Sequence, residues 1–143
     1  MIKSILCAVD ISQPAIETNV LKTATQLAEL NDARLDVVTV VPDYGMTVVG
    51  TFFSDDHVEK ATANAKAALS DLVTGVIGAE ENDKVRHIVA IGSAYEEILK
   101  VAEAAGTDLI VVGAHKPDFK DYLLGPNAAR VVRHSTCSVY VVR

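Results

Sequence analysis

The run from Ile2 to Val9 is apolar or small at every position except Lys3 and Ser4 and ends at Asp10, the pattern of a strand buried on both faces. The period then changes. Ile16, Val20, Ala24 and Leu27 recur at helical spacing. Ser12 offers an N-cap, Pro14 falls in a first turn where its missing N–H costs little, and Glu17 suits the same end. Asn31 and Asp32 stop the helix, and Leu35 to Val41 forms a second buried run closed by Pro42. In residues 42–54 the glycines and Pro42 argue for a loop, while Val48, Val49, Phe52 and Phe53 argue that it packs down. Ser54, Asp55 and Asp56 open a long helix with Val58, Ala61, Ala65, Leu69, Leu72 and Val76 on one face; the polar tract from Glu80 to Lys84 is expected to end it.

Val85 to Ile91 predicts a third strand. Ser93, with Glu96 three residues on, spells a capping box. Ile98, Val101, Ala102 and Ala105 form the next helical stripe, and Gly106 is a helix-stop residue. Asp108 to Val112 is a fourth strand running directly into Gly113. Beyond a polar connection, Gly125-Pro126 starts a short helix carrying Ala128, Ala129, Val131 and Val132, and Ser138 to Val142 is the fifth strand. Strict alternation of strand and helix predicts one α/β domain over residues 1–143. Its expected form is a doubly wound, Rossmann-like parallel sheet in the order 3-2-1-4-5, with helices on both faces.

Composition narrows the class. Apolar residues make up 50% of the 143 and charged ones 22%, which argues against disorder. Aromatics are 5%, with no Trp, which suits a helix-covered sheet better than a sandwich. Thirteen Lys+Arg against nineteen Asp+Glu give a net charge of −6, a poor match to a nucleic-acid backbone. The two cysteines, Cys7 and Cys137, would be separated by strand four, too far apart for a disulfide. No apolar run reaches the roughly 18–20 residues that span a bilayer, and the amino end lacks a secretory pattern. The expectation is a soluble cytoplasmic protein with neither membrane nor nucleic acid as partner.

In an open parallel sheet, ligands bind at the carboxyl ends of the strands beside the topological switch point. Those ends are Ala8 to Asp10, Val40 to Pro42, Gly92-Ser93 and Gly113 to Lys116. Gly113 permits close approach to the backbone, and Gly125 precedes the exposed first-turn N–H groups of a helix. His115 and Lys116 add positive charge beside them. Spacing alone reads equally well as a phosphate cradle or as a glycine-capped turn with solvated cations. Other chemistries fit poorly. Ile11 follows Asp10 where a phosphoacceptor site wants a second acid, residues 10–15 lack a dinucleotide fingerprint, and no Gly-Lys-Ser/Thr loop occurs. The four histidines do not gather into a metal site, and Ser12 and Ser93 read as caps rather than nucleophiles. No catalytic residue is assigned.

Several segments taken in order resemble one family. They are Ile5-Leu-Cys-Ala-Val-Asp10-Ile-Ser12, Val38-Thr-Val-Val-Pro42, Gly92-Ser93, Asp108-Leu-Ile-Val-Val-Gly113-Ala-His115, Leu124-Gly125 and the close from Val131 to Arg143. Over essentially the whole chain they resemble the universal stress protein (UspA) superfamily, and Tyr122-Leu-Leu-Gly-Pro-Asn-Ala128 is similar to its ATP-binding branch. The resemblance implies ATP or AMP, with Mg2+ held by the phosphates. It places Asp10 on the ribose or base, Ala8 at a position often taken by Pro, and Val40 on the adenine. Gly113, His115 and Lys116, with Gly125, Pro126, Asn127 and Ala128, would meet the phosphates. The chain departs from the family's motif in three places. Lys116 stands where a second Gly is usual, the loop is one residue shorter, and Pro126 replaces Ser/Thr, removing an N–H and a hydroxyl.

The implied function is nucleotide-dependent conformation, or binding of a still unidentified protein partner, in a stress response. The rivals are a nucleotide-free dimeric interaction module and a slow ATPase. A homodimer through residues 138–142 is expected, because that strand should lie at an edge with neither Pro nor charge before Arg143. The resemblance implies antiparallel pairing of that edge across a two-fold.

Overall fold

The computed structural model describes residues 1–42, 55–114 and 126–143. Along the chain run β1 (Ser4–Ala8), α1 (Pro14–Asn31), β2 (Arg34–Val41), α2 (Asp55–Ile77) and α3 (Ala79–Asn82). Then follow β3 (Arg86–Ile91), α4 (Ala94–Ala105), β4 (Leu109–Gly113), α5 (Pro126–His134) and β5 (Ser138–Val142). The strands form one five-stranded sheet in the order β3-β2-β1-β4-β5, and every pairing is parallel. That is the expected topology.

Side chains alternate across a strand, so each face of β1 feeds a different core. Ile5, Cys7 and Val9 join Val20, Leu21 and Ala24 of α1 and Leu69 and Val73 of α2 on one side. Leu6 and Ala8 join Ile98 and Ala102 of α4 and Ala128 and Val131 of α5 on the other. Fully burying an aliphatic side chain contributes roughly 1.5–3 kcal/mol, which makes these two layers the main stabilising element. The central strands β1 and β4 are buried throughout. No helix among the described residues is long and apolar enough to cross a membrane.

Helix boundaries follow local chemistry in part. Pro14 opens α1, and Asp32 (φ 50°) and Gly106 (φ 65°) close α1 and α4 in the left-handed conformation. The caps differ from expectation. Gln13, not Ser12, occupies the N-cap of α1, and the Ser12 hydroxyl donates instead to Asp10 Oδ1 at 2.6 Å. Ser93 stands at the N-cap of α4, but its side chain makes no cap bond. The Glu96 carboxylate accepts from the Tyr95 hydroxyl at 3.1 Å, so the capping box does not form. Helix α2 ends at Ile77, before the polar tract, because Gly78 (φ 90°) leaves helical space and α3 is a separate turn.

Two stripes also shift. Ile16 is 46% exposed while Glu17 is 1% exposed, so the buried face of α1 runs through Glu17, Val20, Leu21, Ala24 and Ala28. On α2, Ala61 is exposed and Val73 is fully buried. Both cysteines are free thiols, Cys7 on β1 and Cys137 ahead of β5, with β4 between the two strands. Ser54 and the expected packing of Val48, Val49, Phe52 and Phe53 lie outside the described residues.

At the amino edge of the sheet, Asp108 ties the start of β1 to that of β4. Its Oδ2 accepts the N–H groups of Lys3 at 2.9 Å and Ser4 at 3.0 Å, and its own amide donates to Ser4 O at 2.9 Å. The Lys3 and Ser4 amides, in that order, hold the Asp108 carboxyl below its ordinary value.

Candidate functional site

At the carboxyl edge the chain leaves β1 toward β2 on one side and leaves β4 toward β5 on the other, which makes the space between β1 and β4 the switch point. A cleft of about 600 Å³ opens there, within the range of small-molecule and cofactor sites. Six of the residues singled out from sequence line it: Ala8, Asp10, Val40, Gly113, Asn127 and Ala128. Pro126 is the first residue of α5. His115, Lys116 and Gly125 lie outside the described residues.

One wall is built by the turn from β1 into α1. The last ladder bond along β1 runs from Val9 N–H to Val38 O at 2.9 Å. Beyond it, the Asp10 amide donates to Glu17 Oε1 at 3.0 Å, and the Asp10 carbonyl accepts the Gln13 amide at 3.1 Å. Asp10 Oδ1 takes both the amide and the hydroxyl of Ser12, at 2.9 and 2.6 Å. Among the described residues Asp10 Oδ2 accepts no hydrogen bond. The opposite wall is the first turn of α5, where Asn127 and Ala128 line the cleft and first-turn amides carry the positive end of the helix dipole. Between them Val38, Val40, Ile98 and Val112 supply an apolar floor. Hydrogen-bond acceptors therefore face donors across an apolar middle.

Glu17 is a charged site residue that the sequence reading missed, as it did the floor residues Val38, Ile98 and Val112. Glu17 was read as a first-turn acid, whereas it lines the cleft and is all but fully buried. A signal was present: position 17 lies three residues before Val20 and four before Leu21, whereas position 16 joins that stripe through Val20 alone. Its carboxylate also acts on the core. Burial first, and the charge of Glu17 second, push the Cys7 thiol far up, so Cys7 behaves as an inert small hydrophobe. The two histidines whose side chains are described, His87 and His134, serve elsewhere. His87 Nε2 lies 2.6 Å from Asn82 Oδ1, and the His134 ring centroid is 6.2 Å from that of Tyr95.

The profile of the universal stress protein family matches residues 1–143. Universal stress protein A homolog 1 of Coxiella burnetii is 32% identical, over 98% of this chain and 95% of its own length. The solved structure of hypothetical protein MJ0577, from Methanocaldococcus jannaschii, superposes with a TM-score of 0.78 at 30% identity, covering 99% of this chain and 96% of that one. The universal stress protein from Archaeoglobus fulgidus, solved in complex with dAMP, shares the fold at 18% identity and a TM-score of 0.67 over the full length of both chains. With a whole-length match, the same sheet order and full-length relatives, this chain belongs to the universal stress protein family.

Proposed function

We propose that the cleft binds an adenine nucleotide, ATP or AMP. The observation that carries this reading is the confrontation of two walls across one space of about 600 Å³ at the switch point: the Asp10 carboxylate on one and the amino end of α5 on the other. A carboxylate oxygen that takes no donor among the described residues suits a ribose hydroxyl, the valines and Ile98 suit a flat base, and first-turn amides suit phosphate oxygens. The dAMP-bound relative of the same fold supports an adenine ligand. Mg2+ would arrive on the phosphates. The output is nucleotide-dependent conformation or partner binding in a cytoplasmic stress response, rather than rapid turnover.

We propose further that the chain is a homodimer through β5. This strand ends the sheet, and Tyr140 on it is 46% exposed. Ala114 N–H donates to Val142 O at 2.7 Å, so the polar backbone groups of Val142 face β4. Alternation turns those of Val141 outward, where a second copy can pair with them.

Calorimetric titration of ATP and AMP into the wild type and Asp10→Asn tests the first reading. Asn keeps the Oδ1 acceptor for Ser12 and replaces the ligand-facing oxygen with a donor. Loss of one hydrogen bond to a charged group predicts an affinity about tenfold or more weaker. Equal affinity would remove Asp10 from the site, and no binding by the wild type would leave the dimeric, nucleotide-free module.

A further inference from the structure

We infer that Glu17 is the positioning residue of this site: by holding the Asp10 peptide it sets the direction in which the Asp10 carboxylate faces the cleft. The inference rests on reading the cleft as a nucleotide site. Its geometry is independent of any ligand.

Asp10 leaves the sheet at a point where its N–H has no strand to pair with, since the ladder closes at Val9. An unpaired, partly buried amide costs free energy. Glu17 supplies the acceptor from seven residues away, at 3.0 Å, from the first turn of α1. A 1%-exposed carboxylate is itself costly to bury without hydrogen bonds. The bond to Asp10 offsets part of that cost, as does the helix amino end, which favours an acid in its first turn. With Glu17 on the amide, Gln13 on the carbonyl and Ser12 on Oδ1, the backbone on both sides of the Asp10 Cα and one carboxylate oxygen are held. Oδ2 takes no donor among the described residues, and Asp10 lines the cleft. Without Glu17 the Ser12 contacts remain, but the peptide that orients them is free to rotate.

Two variants separate holding from mere filling. Glu17→Gln keeps a carbonyl oxygen that can accept the Asp10 amide, whereas Glu17→Leu fills the same volume with no acceptor. Nucleotide affinity by calorimetry is expected to fall about tenfold in the Leu variant and to stay within about threefold in the Gln variant. Amide hydrogen exchange at Asp10 and Ser12, read residue by residue by NMR, should accelerate in the Leu variant alone, while exchange in β1 and β4 stays as in the wild type. Wild-type affinity in the Leu variant would overturn the inference, and so would a Gln variant as weak as the Leu one. Should the wild type bind no nucleotide, the reading of the cleft fails and exchange decides by itself. Protection that depends on an acceptor at position 17 upholds the positioning role, and equal exchange in all three proteins overturns it.

Discussion

Asp36 and Arg86 are register partners across the β2–β3 pair, and Arg86 Nη2 donates to Asp36 Oδ2 at 2.9 Å. The carboxylate is 0% exposed and the guanidinium side chain 55%, so a solvent-facing cation holds a buried anion. Arg34 Nε stands farther off, at 3.6 Å from the same oxygen, and its Nη2 is committed to Ser4 Oγ and Ala105 O. Among the described residues Asp36 Oδ1 accepts no hydrogen bond. The burial of Asp36 therefore depends chiefly on Arg86.

Arg86→Ala is accordingly expected to destabilise the fold by about 1.5–3 kcal/mol, the contribution of a hydrogen bond to a charged group. Urea unfolding at neutral pH measures this directly. A loss no larger than the roughly 0.5 kcal/mol typical of exposed ion pairs would show that Arg34 carries Asp36 alone.

Asp108 predicts a pH dependence. Its carboxyl is depressed in the fold by the Lys3 and Ser4 amides, so its contribution is complete above the unfolded-state value and is lost as pH falls through the lower folded one. Asp108→Asn should lower Tm by a few degrees at pH 7, and by progressively less as the pH falls below about 4. A deficit that is constant across that range would place the effect on packing rather than charge.

Pro126 opens α5 without an amide hydrogen, at the wall assigned to phosphate. Pro126→Ser restores an N–H and adds a hydroxyl there, and ATP is expected to bind up to about tenfold more tightly, with AMP changing less. Unchanged ATP affinity in calorimetry would mean that the phosphates are held away from the first turn of α5.

The dimer has its own test. Because Val141 presents its N–H away from β4, Val141→Pro removes an outward donor while leaving the β4–β5 ladder in place. Sedimentation equilibrium at micromolar concentration should show a dimer for the wild type and a monomer for the variant. A variant dimer of undiminished strength would locate the interface elsewhere.

Much of this molecule was legible in its sequence because the informative patterns are local. Buried runs such as Ile5–Val9 and Leu109–Val112, alternating with stripes such as Ile98–Ala102, define the element order without reference to any partner. Right-handed crossovers between parallel strands then restrict the sheet order, and the carboxyl-edge rule brings Asp10, Gly113 and Asn127 to one cleft. Gly106 stops α4 by its own conformational freedom.

Sequence alone thus determined the fold, the end of the sheet that carries the cleft and the residue at its rim. Tertiary structure decided which polar groups are buried, and there the local rules were wrong in consistent ways. Ile16 looked like core and Glu17 like surface, yet the strand end offers Glu17 an amide at 3.0 Å and leaves Ile16 facing out. Ser12 looked like a cap but is bound by Asp10, and Asp36 sits fully buried because Arg86 reaches it from the neighbouring strand. For the buried carboxylates of Glu17 and Asp36 the physical reason is the same. Apolar burial follows from a side chain's own transfer free energy, which periodicity reveals, whereas burial of a polar group depends on a partner at hydrogen-bonding distance. That partner comes from elsewhere in the chain and is brought close only by the finished fold.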